Sequence, residues 1–270
     1  MFALGKIDII ARRALLAIAI VLCVGAMSTR ALAAAGPVIA AAADLDAVLP
    51  GIAALFAKQT GNSVRLTFGS SGDFAQQILN GAPFEVYLSA DEGYVKKLSA
   101  AGKTDGAGAL YAIGRIGLFL PSGSAIKNEG DLRDLAAAVR DGRLQRFAIA
   151  NPEHAPYGRA AREALIHAGL WDAIRPKLVL GENVAQATQF ALSGSAQGGI
   201  IPLSLALTPK VRAAGTFSLI SADWYNPLHQ RAVVIKGAGE TARAFFAFLQ
   251  TAPARAIFRR YGFILPSATP

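Results

Sequence analysis

Short apolar runs alternate with segments of helical periodicity along this chain, and this alternation restricts the fold more than any other feature. Val38 to Ala43 is an apolar run that predicts a buried strand. Apolar residues then recur at helical spacing from Leu45 to Phe56, and Gly61 is placed to end that helix. Such repeated β/α units predict a mostly parallel sheet with helices on both faces. Further runs typical of strands are 64–68, 86–88, 147–150, 178–180 and 200–201.

Two strand-like stretches fall outside this rhythm and divide the chain. They are Ile116 to Leu120, after a glycine-rich segment, and Arg231 to Ile235. We interpret them as the two crossover strands of a hinge between two lobes. The first lobe is then predicted to comprise residues 37–113 plus 230–270, where the C-terminal aromatic residues pack. The second lobe is predicted to comprise residues 114–229.

The N-terminus has the pattern of a secretory leader. Basic residues precede the apolar run Ala14 to Met27, which is too short for a comfortable membrane span. Ala31-Leu32-Ala33 then matches an A-x-A cleavage pattern. Residues 1–33 are therefore predicted to be a cleaved signal peptide, and the mature protein to be periplasmic. An uncleaved membrane anchor is the alternative.

Removal of this leader leaves a modestly basic chain. The leader holds four of the 27 Lys and Arg residues and one of the 18 Asp and Glu residues, so a net charge of +6 remains. A positive balance weakly favours an anionic ligand. The cations are scattered and form no basic stripe with interleaved aromatic residues, which argues against a nucleic-acid partner.

The residues best placed for ligand binding lie where predicted strands meet predicted helices. Ligands of open α/β sheets bind at the carboxyl ends of the strands, and helix N-termini attract anions. Ser71 and Tyr157 add hydroxyl donors to the backbone N–H groups there. Helix capping is the better explanation of any one joint taken alone, and only the set favours an anion site. The four joints are Ala43–Leu45, Gly69–Gly72, Pro156–Gly158 and Asn183–Ala185.

Catalytic and metal sites find little support in the sequence. The three histidines, His154, His167 and His229, are far apart and lack the spacing of metal ligands. The single cysteine, Cys23, lies in the leader, so the mature chain has no thiolate. No G-x-S-x-G, G-x-G-x-x-G or Walker pattern is present. The sequence therefore predicts a binding protein with no cofactor, no catalytic residue and no metal cation.

Several motifs at these joints occur in an order that is known from one family. Ala41-Ala42-Ala43-Asp44-Leu45 is similar to A-A-A-S-L, and residues 81–91 are similar to G-A-P-x-D-x-x-x-S-A-D. Residues 151–158 resemble a D/N-P-x-x-x-P-x-G turn. Over nearly all of its mature length the chain resembles the periplasmic molybdate-binding proteins, which are type II solute-binding proteins. The resemblance implies two α/β lobes, each a mixed, mostly parallel sheet flanked by helices, joined by a two-strand hinge.

The resemblance also implies a function and a set of site residues. The chain is expected to bind molybdate, with tungstate as an indistinguishable ligand, and to deliver it as a monomer to the permease of an ABC transporter. Pro202 stands where some members have a binding tyrosine, and Tyr157 is placed to supply the missing phenol. The residues that match the oxyanion donors of the family are Asp44, Ser71, Tyr157 and Val184.

This expected function has three alternatives. They are a receptor for another oxyanion such as sulfate or phosphate, an enzyme on the same fold, and the effector domain of a cytosolic transcription factor. The leader and the lack of a DNA-binding segment oppose the last.

Asp44 is the unexpected residue, because the family often has Ser or Asn at this position. A carboxylate beside a dianion is unfavourable, and three arrangements avoid that cost. Asp44 caps the first helix through the N–H of Ala47, or it is protonated and donates its own O–H, or the ligand is a protonated oxyanion whose O–H Asp44 accepts. The frequency of Asp at helix N-caps favours the first.

Overall fold

The computed structural model of the protein describes residues 36–128 and 131–266, and its ten strands form two sheets. The predicted signal peptide lies outside the described residues. Strands of the first sheet are β1 (Val38–Ala42), β2 (Arg65–Gly69), β3 (Val86–Ser89), β4 (Thr104–Gly114) and β10 (Leu228–Ile235). Strands of the second sheet are β5 (Ile116–Pro121), β6 (Phe147–Ala150), β7 (Leu178–Gly181), β8 (Gly199–Pro202) and β9 (Gly215–Leu219).

The two sheets have equivalent topologies. Their strand orders are β2-β1-β3-β10-β4 and β7-β6-β8-β5-β9. In the first sheet, β1 pairs in parallel with β2 and β3, and β10 runs antiparallel between β3 and β4. In the second, β6 pairs in parallel with β7 and β8, and β5 runs antiparallel between β8 and β9. In each sheet four of the five strands therefore run in one direction and one runs against them, which confirms the predicted mixed, mostly parallel fold class.

The chain passes between the sheets after β4 and again after β9. The predicted crossover strands lie in β5 and β10, but the prediction missed β4, which precedes the first crossing. Gly106 and Gly108 made that segment look like a loop; their φ angles of 77° and 67° accompany an irregular register between β4 and β10. The lobe boundaries remain a prediction, because the described residues from Pro37 onward form one compact unit.

Helices cover the faces of both sheets. On the first are α1 (Leu49–Thr60), α2 (Ser71–Leu79), α3 (Glu92–Ala100), α10 (Glu240–Phe248) and α11 (Ala252–Arg260). On the second are α4 (Arg133–Asp141), α5 (Pro156–His167), α6 (Trp171–Ile174), α7 (Val184–Leu192), α8 (Leu203–Ala206) and α9 (Pro209–Ala214). None of the helices within the described ranges is long and apolar enough to cross a membrane.

The C-terminal helices complete the core beside the first sheet, as their aromatic spacing predicts. Phe56 of α1 meets Phe245 of α10 edge to face, with ring centroids 5.3 Å apart. Phe258 of α11 belongs to the same buried cluster. The first helix begins at Leu49 rather than at Leu45, because Ala43–Leu45 forms a separate 3-10 turn directly after β1. That turn carries Asp44 to the carboxyl end of the sheet.

Candidate functional site

Four strand-to-helix joints, two from each sheet, line one small cleft. The joints that follow β1 and β2 come from the first sheet, and those that follow β6 and β7 come from the second. Asp44, Ser71, Tyr157 and Val184, the residues singled out from the sequence, all lie in its wall. The fold thus brings together four residues that are spread over 141 positions of the chain, from 44 to 184.

The cleft offers hydrogen-bond donors that carry no charge. Helices α2, α5 and α7 begin at its wall, where first-turn N–H groups have no partner within the helix. The hydroxyl oxygen of Ser71 accepts a hydrogen bond from the N–H of Ala90 at 3.0 Å, so its proton is available to a ligand. Among the described residues that form the wall there is no lysine, arginine or histidine.

Asp44 is the one carboxylate among the described residues of that wall, and it is fully buried. Tyr157 Oη donates to Asp44 Oδ2 at 2.9 Å, and Gln230 Nε2 donates to the same oxygen at 2.7 Å. Tyr111 Oη in turn donates to Gln230 Oε1 at 2.7 Å. Ser204 Oγ donates to the carbonyl oxygen of Asp44 at 2.7 Å. The other carboxylate oxygen, Oδ1, is buried without a hydrogen-bond partner in the described part of the chain.

Burial controls the protonation of this cluster. It raises the pKa of Asp44 to about 6, against the opposing effect of the hydrogen bonds from Gln230 and Tyr157. Burial, with the nearby charge of Asp44, also raises the pKa of the Tyr157 phenol well above its ordinary value. Tyr157 therefore keeps its proton and acts as a donor to Asp44.

The predicted capping role of Asp44 is wrong. The turn after β1 has no side-chain cap, and the Asp44 carboxylate is held by Tyr157 and Gln230 instead. The phenol of Tyr157, which is predicted to bind the ligand, donates its proton to Asp44 in this structure. Sequence reasoning could not find these bonds, because Tyr157 is 113 residues and Gln230 is 186 residues from Asp44.

Sequence reasoning also missed Gln230, Tyr111, Ser204 and Gly114, and none of them carries a local signal. Gly114 leaves room for the cluster: a Cβ there would lie 2.9 Å from Gln230 Nε2 and would overlap Tyr157 Oη. The end of β4 must therefore be free of a side chain for the cluster to form.

His154 joins the two sides of the cleft at its edge. Its carbonyl oxygen accepts hydrogen bonds from Ser70 Oγ at 2.7 Å and from the N–H of Gly72 at 3.0 Å. Its ring lies between two carboxylates, with Nδ1 3.4 Å from Asp73 and Nε2 3.6 Å from Glu182. These three side chains could face one ion. The two carboxylates lie nearest to opposite nitrogens of the ring, however, and Nδ1 also lies 3.0 Å from Ser70 Oγ, so the imidazole stands between the two acidic side chains rather than turning one nitrogen to both.

Comparisons with known proteins agree with this architecture. The model of the bacterial extracellular solute-binding protein family matches residues 37–264. Molybdate-binding protein ModA of Rhodobacter capsulatus is 38% identical over 236 residues, which cover 86% of this chain and 90% of that protein. Molybdate-binding protein ModA of Azotobacter vinelandii is 36% identical over 228 residues, which cover 83% and 88%. The solved structure of the Azotobacter vinelandii periplasmic molybdate-binding protein matches with a TM-score of 0.76 at 32% identity, over 85% of this chain and 99% of that one.

Proposed function

This chain belongs to the bacterial extracellular solute-binding proteins, and on that premise we propose that it binds molybdate outside the cytoplasm and delivers it to the permease of an ABC transporter. The relatives at 36% and 38% identity are molybdate-binding proteins, and the matched regions cover 88% and 90% of their lengths. Members of such a family bind and release a solute without converting it, so no catalytic residue and no cofactor is assigned.

The observation that carries this proposal is the donor set of the cleft. Three helix N-termini and the Ser71 hydroxyl converge on a small space from two sides. Helix N-termini are favourable sites for anions, because their unpaired N–H groups and the helix dipole both attract negative charge. Converging donors suit a ligand that accepts hydrogen bonds in all directions, as a tetrahedral oxyanion does.

Each site residue is assigned a role on this basis. Ser71 donates through its hydroxyl and its N–H group, and Tyr157 and Val184 donate through the N–H groups at the starts of α5 and α7. Asp44 contributes its backbone N–H from the turn after β1. These hydroxyl and N–H groups donate hydrogen bonds to the oxygen atoms of the anion. Closure of the two predicted lobes, 37–113 plus 230–270 and 114–229, buries the anion between them.

Export and oligomeric state complete the proposal. Residues 1–33 act as a signal peptide that is removed on export, and the mature protein works in the periplasm as a monomer without binding nucleic acid. Mass spectrometry of the exported protein tests the cleavage site, and light scattering tests the monomer. A mass that retains the leader, or the mass of a dimer, would refute the corresponding statement.

Isothermal titration of residues 34–270 with a panel of oxyanions tests the function. Molybdate and tungstate are expected to bind with similar affinity, and sulfate and phosphate much more weakly. Equal affinity for sulfate or phosphate would make this a general oxyanion receptor. An absence of heat with molybdate would overturn the proposal, and turnover of any ester or anhydride would indicate an enzyme.

A further inference from the structure

A bound dianion worsens a charge imbalance that the cleft already has. The described residues of its wall include the carboxyl group of Asp44 but no lysine, arginine or histidine. An ionised Asp44 next to a dianion would place three negative charges in a site built from neutral donors. Like charges that are buried together strongly favour protonation of one of them. A proton is therefore the simplest counter-charge that the site can take up.

Asp44 cannot avoid the anion by turning away. Its side chain has no exposed surface, and its carbonyl oxygen is held by the hydroxyl of Ser204 at 2.7 Å. Both donors to the carboxyl group, Tyr157 and Gln230, bond to the same oxygen, Oδ2. The group is thus fixed in position and one of its oxygens is already satisfied.

The remaining oxygen, Oδ1, is the place for a proton. It is buried and has no hydrogen-bond partner among the described residues. A proton on Oδ1 leaves the two bonds to Oδ2 intact, whereas a proton on Oδ2 would compete with them. The resulting acid carries no charge, so only neutral groups then remain around the anion in the described part of the wall.

We propose that capture of the oxyanion is coupled to the uptake of one proton from solvent by Asp44, so that the loaded cleft holds Asp44 as a neutral acid with its proton on Oδ1. This inference rests on the proposed function, since it takes a fully ionised tetrahedral dianion of the molybdate class as the ligand. Tyr157 and Gln230 act as positioning residues, because they present Oδ2 with donors and leave Oδ1 to the proton.

Among the described residues around Asp44 there is no cationic side chain that would replace this proton. The titratable neighbours are the phenols of Tyr157 on α5 and Tyr111 on β4. The neighbours on β10 and α8, Gln230 and Ser204, are uncharged. Helix α7 has no acidic or basic residue in its first turn. Arg65, the first residue of β2, lies opposite Val38 in the sheet, at the end of the strand that is far from the cleft.

The direction of the pH dependence follows from these contacts. Burial already raises the pKa of Asp44 to about 6. A dianion beside Asp44 raises that pKa further, because a nearby negative charge disfavours the ionised form of the carboxyl group. Binding then takes up close to one proton at pH 7. Because the complex holds one more proton than the free protein, the affinity for the anion must fall about tenfold for each pH unit above the pKa of Asp44 in the free protein. This fall ends when the pH reaches the pKa of Asp44 in the complex.

Isothermal titration of the mature chain with molybdate at pH 7, in two buffers of different ionisation enthalpy that are not oxyanions, counts the protons directly. We expect close to one proton taken up per anion bound, and a dissociation constant that rises about tenfold per pH unit between pH 6.5 and 8.5. The matched variant is Asp44→Asn, which has the shape of the neutral acid and carries N–H donors. It is expected to take up no proton, to bind at least as tightly at pH 7, and to show no pH dependence in this range. Asp46→Asn, at an exposed neighbour, is the control and should behave as the wild type.

The outcomes separate this inference from the proposed function. Molybdate binding without proton uptake in the wild type, or uptake that persists in Asp44→Asn, overturns the inference and leaves the function standing. Binding weakened more than about tenfold in Asp44→Asn also overturns it, because the neutral isostere should be tolerated. An absence of molybdate binding in every variant overturns the function itself.

Discussion

The phenol of Tyr157 donates a hydrogen bond to Asp44 over 2.9 Å, and this bond joins the start of α5 beside the second sheet to the turn after β1 of the first. Both side chains are buried, so water does not compete for the bond. The contact depends on the approach of the two sides of the cleft. The charge state of Asp44 and the closure of the cleft are therefore physically linked.

Molybdate is expected to stabilise the protein against heat, and sulfate far less. A ligand that binds only the folded state stabilises it by about 2.7 kcal/mol at 100 times its dissociation constant. For a chain of this size that corresponds to an increase of roughly 5–10 °C in Tm. Differential scanning fluorimetry of the mature chain measures the shift. An equal shift with sulfate would contradict the selectivity, and no shift with molybdate would contradict the function.

Ser71→Ala should weaken molybdate binding about ten- to a hundredfold. The hydroxyl of Ser71 accepts from the N–H of Ala90 and has its proton free, and a hydrogen bond to a charged group contributes about 1.5–3 kcal/mol. Titration calorimetry at pH 7 gives the change. Ser89→Ala is the matched control, since Ser89 is buried but its hydroxyl is committed to the carbonyl oxygen of Asp91. If both variants bind alike, Ser71 is only a structural residue.

Tyr157→Phe should lower stability more than affinity. It removes a buried donor to Asp44, which costs about 1.5–3 kcal/mol in the free energy of unfolding when the acceptor is charged. Gln230 still bonds to Oδ2, and the N–H groups at the start of α5 are unchanged. Molybdate affinity at pH 7 should therefore stay within a few-fold of wild type, or improve. A loss greater than tenfold would mean that the phenol turns to the anion in the complex.

Gly72→Ala should impair closure of the cleft. A Cβ at this position would lie 2.6 Å from the carbonyl oxygen of His154 and 2.8 Å from Tyr94 Oη, closer than real Cβ contacts. The variant should bind molybdate more weakly and show a smaller decrease in radius of gyration on binding, measured by small-angle scattering. Gly51→Ala, in α1 with nothing near its Cβ, is the control and should stay closed and gain stability, because alanine is the better helix former.

Asp44→Asn should stabilise the ligand-free protein at neutral and basic pH. Burial raises the pKa of Asp44 from 3.8 to about 6, so its ionised form is disfavoured by folding. That penalty is absent below about pH 4, grows as the pH rises through 6, and is complete above it, at about 3 kcal/mol. The difference in free energy of unfolding between the variant and wild type should therefore be up to about 3 kcal/mol at pH 8 and small at pH 4. Chemical denaturation at both pH values measures it, and a difference that does not change with pH would disprove the penalty.

The sequence by itself determined the class of fold and the positions of the joints. Hydrophobic periodicity is local, so it located strands and helices from residues close together in the chain. The four joints could then be identified as a set, because every parallel strand in an α/β sheet presents its carboxyl end at the same edge. Strand β4 was not predicted, because Gly106 and Gly108 interrupt its hydrophobic pattern. Its pairing with β10, which is distant in the chain, is what makes this segment a strand.

The tertiary structure alone decided the chemistry inside the cleft. The sequence marked Asp44 as unusual, but its partners Tyr157 and Gln230 lie 113 and 186 residues away and are brought to it by the crossings between the sheets. The pKa of a carboxyl group depends on its desolvation and on the donors around it, and neither quantity is encoded near Asp44 in the chain. The same reason explains why the ring of His154 could be seen from the sequence only as a loop residue, and why its place between Asp73 and Glu182 emerged from the fold.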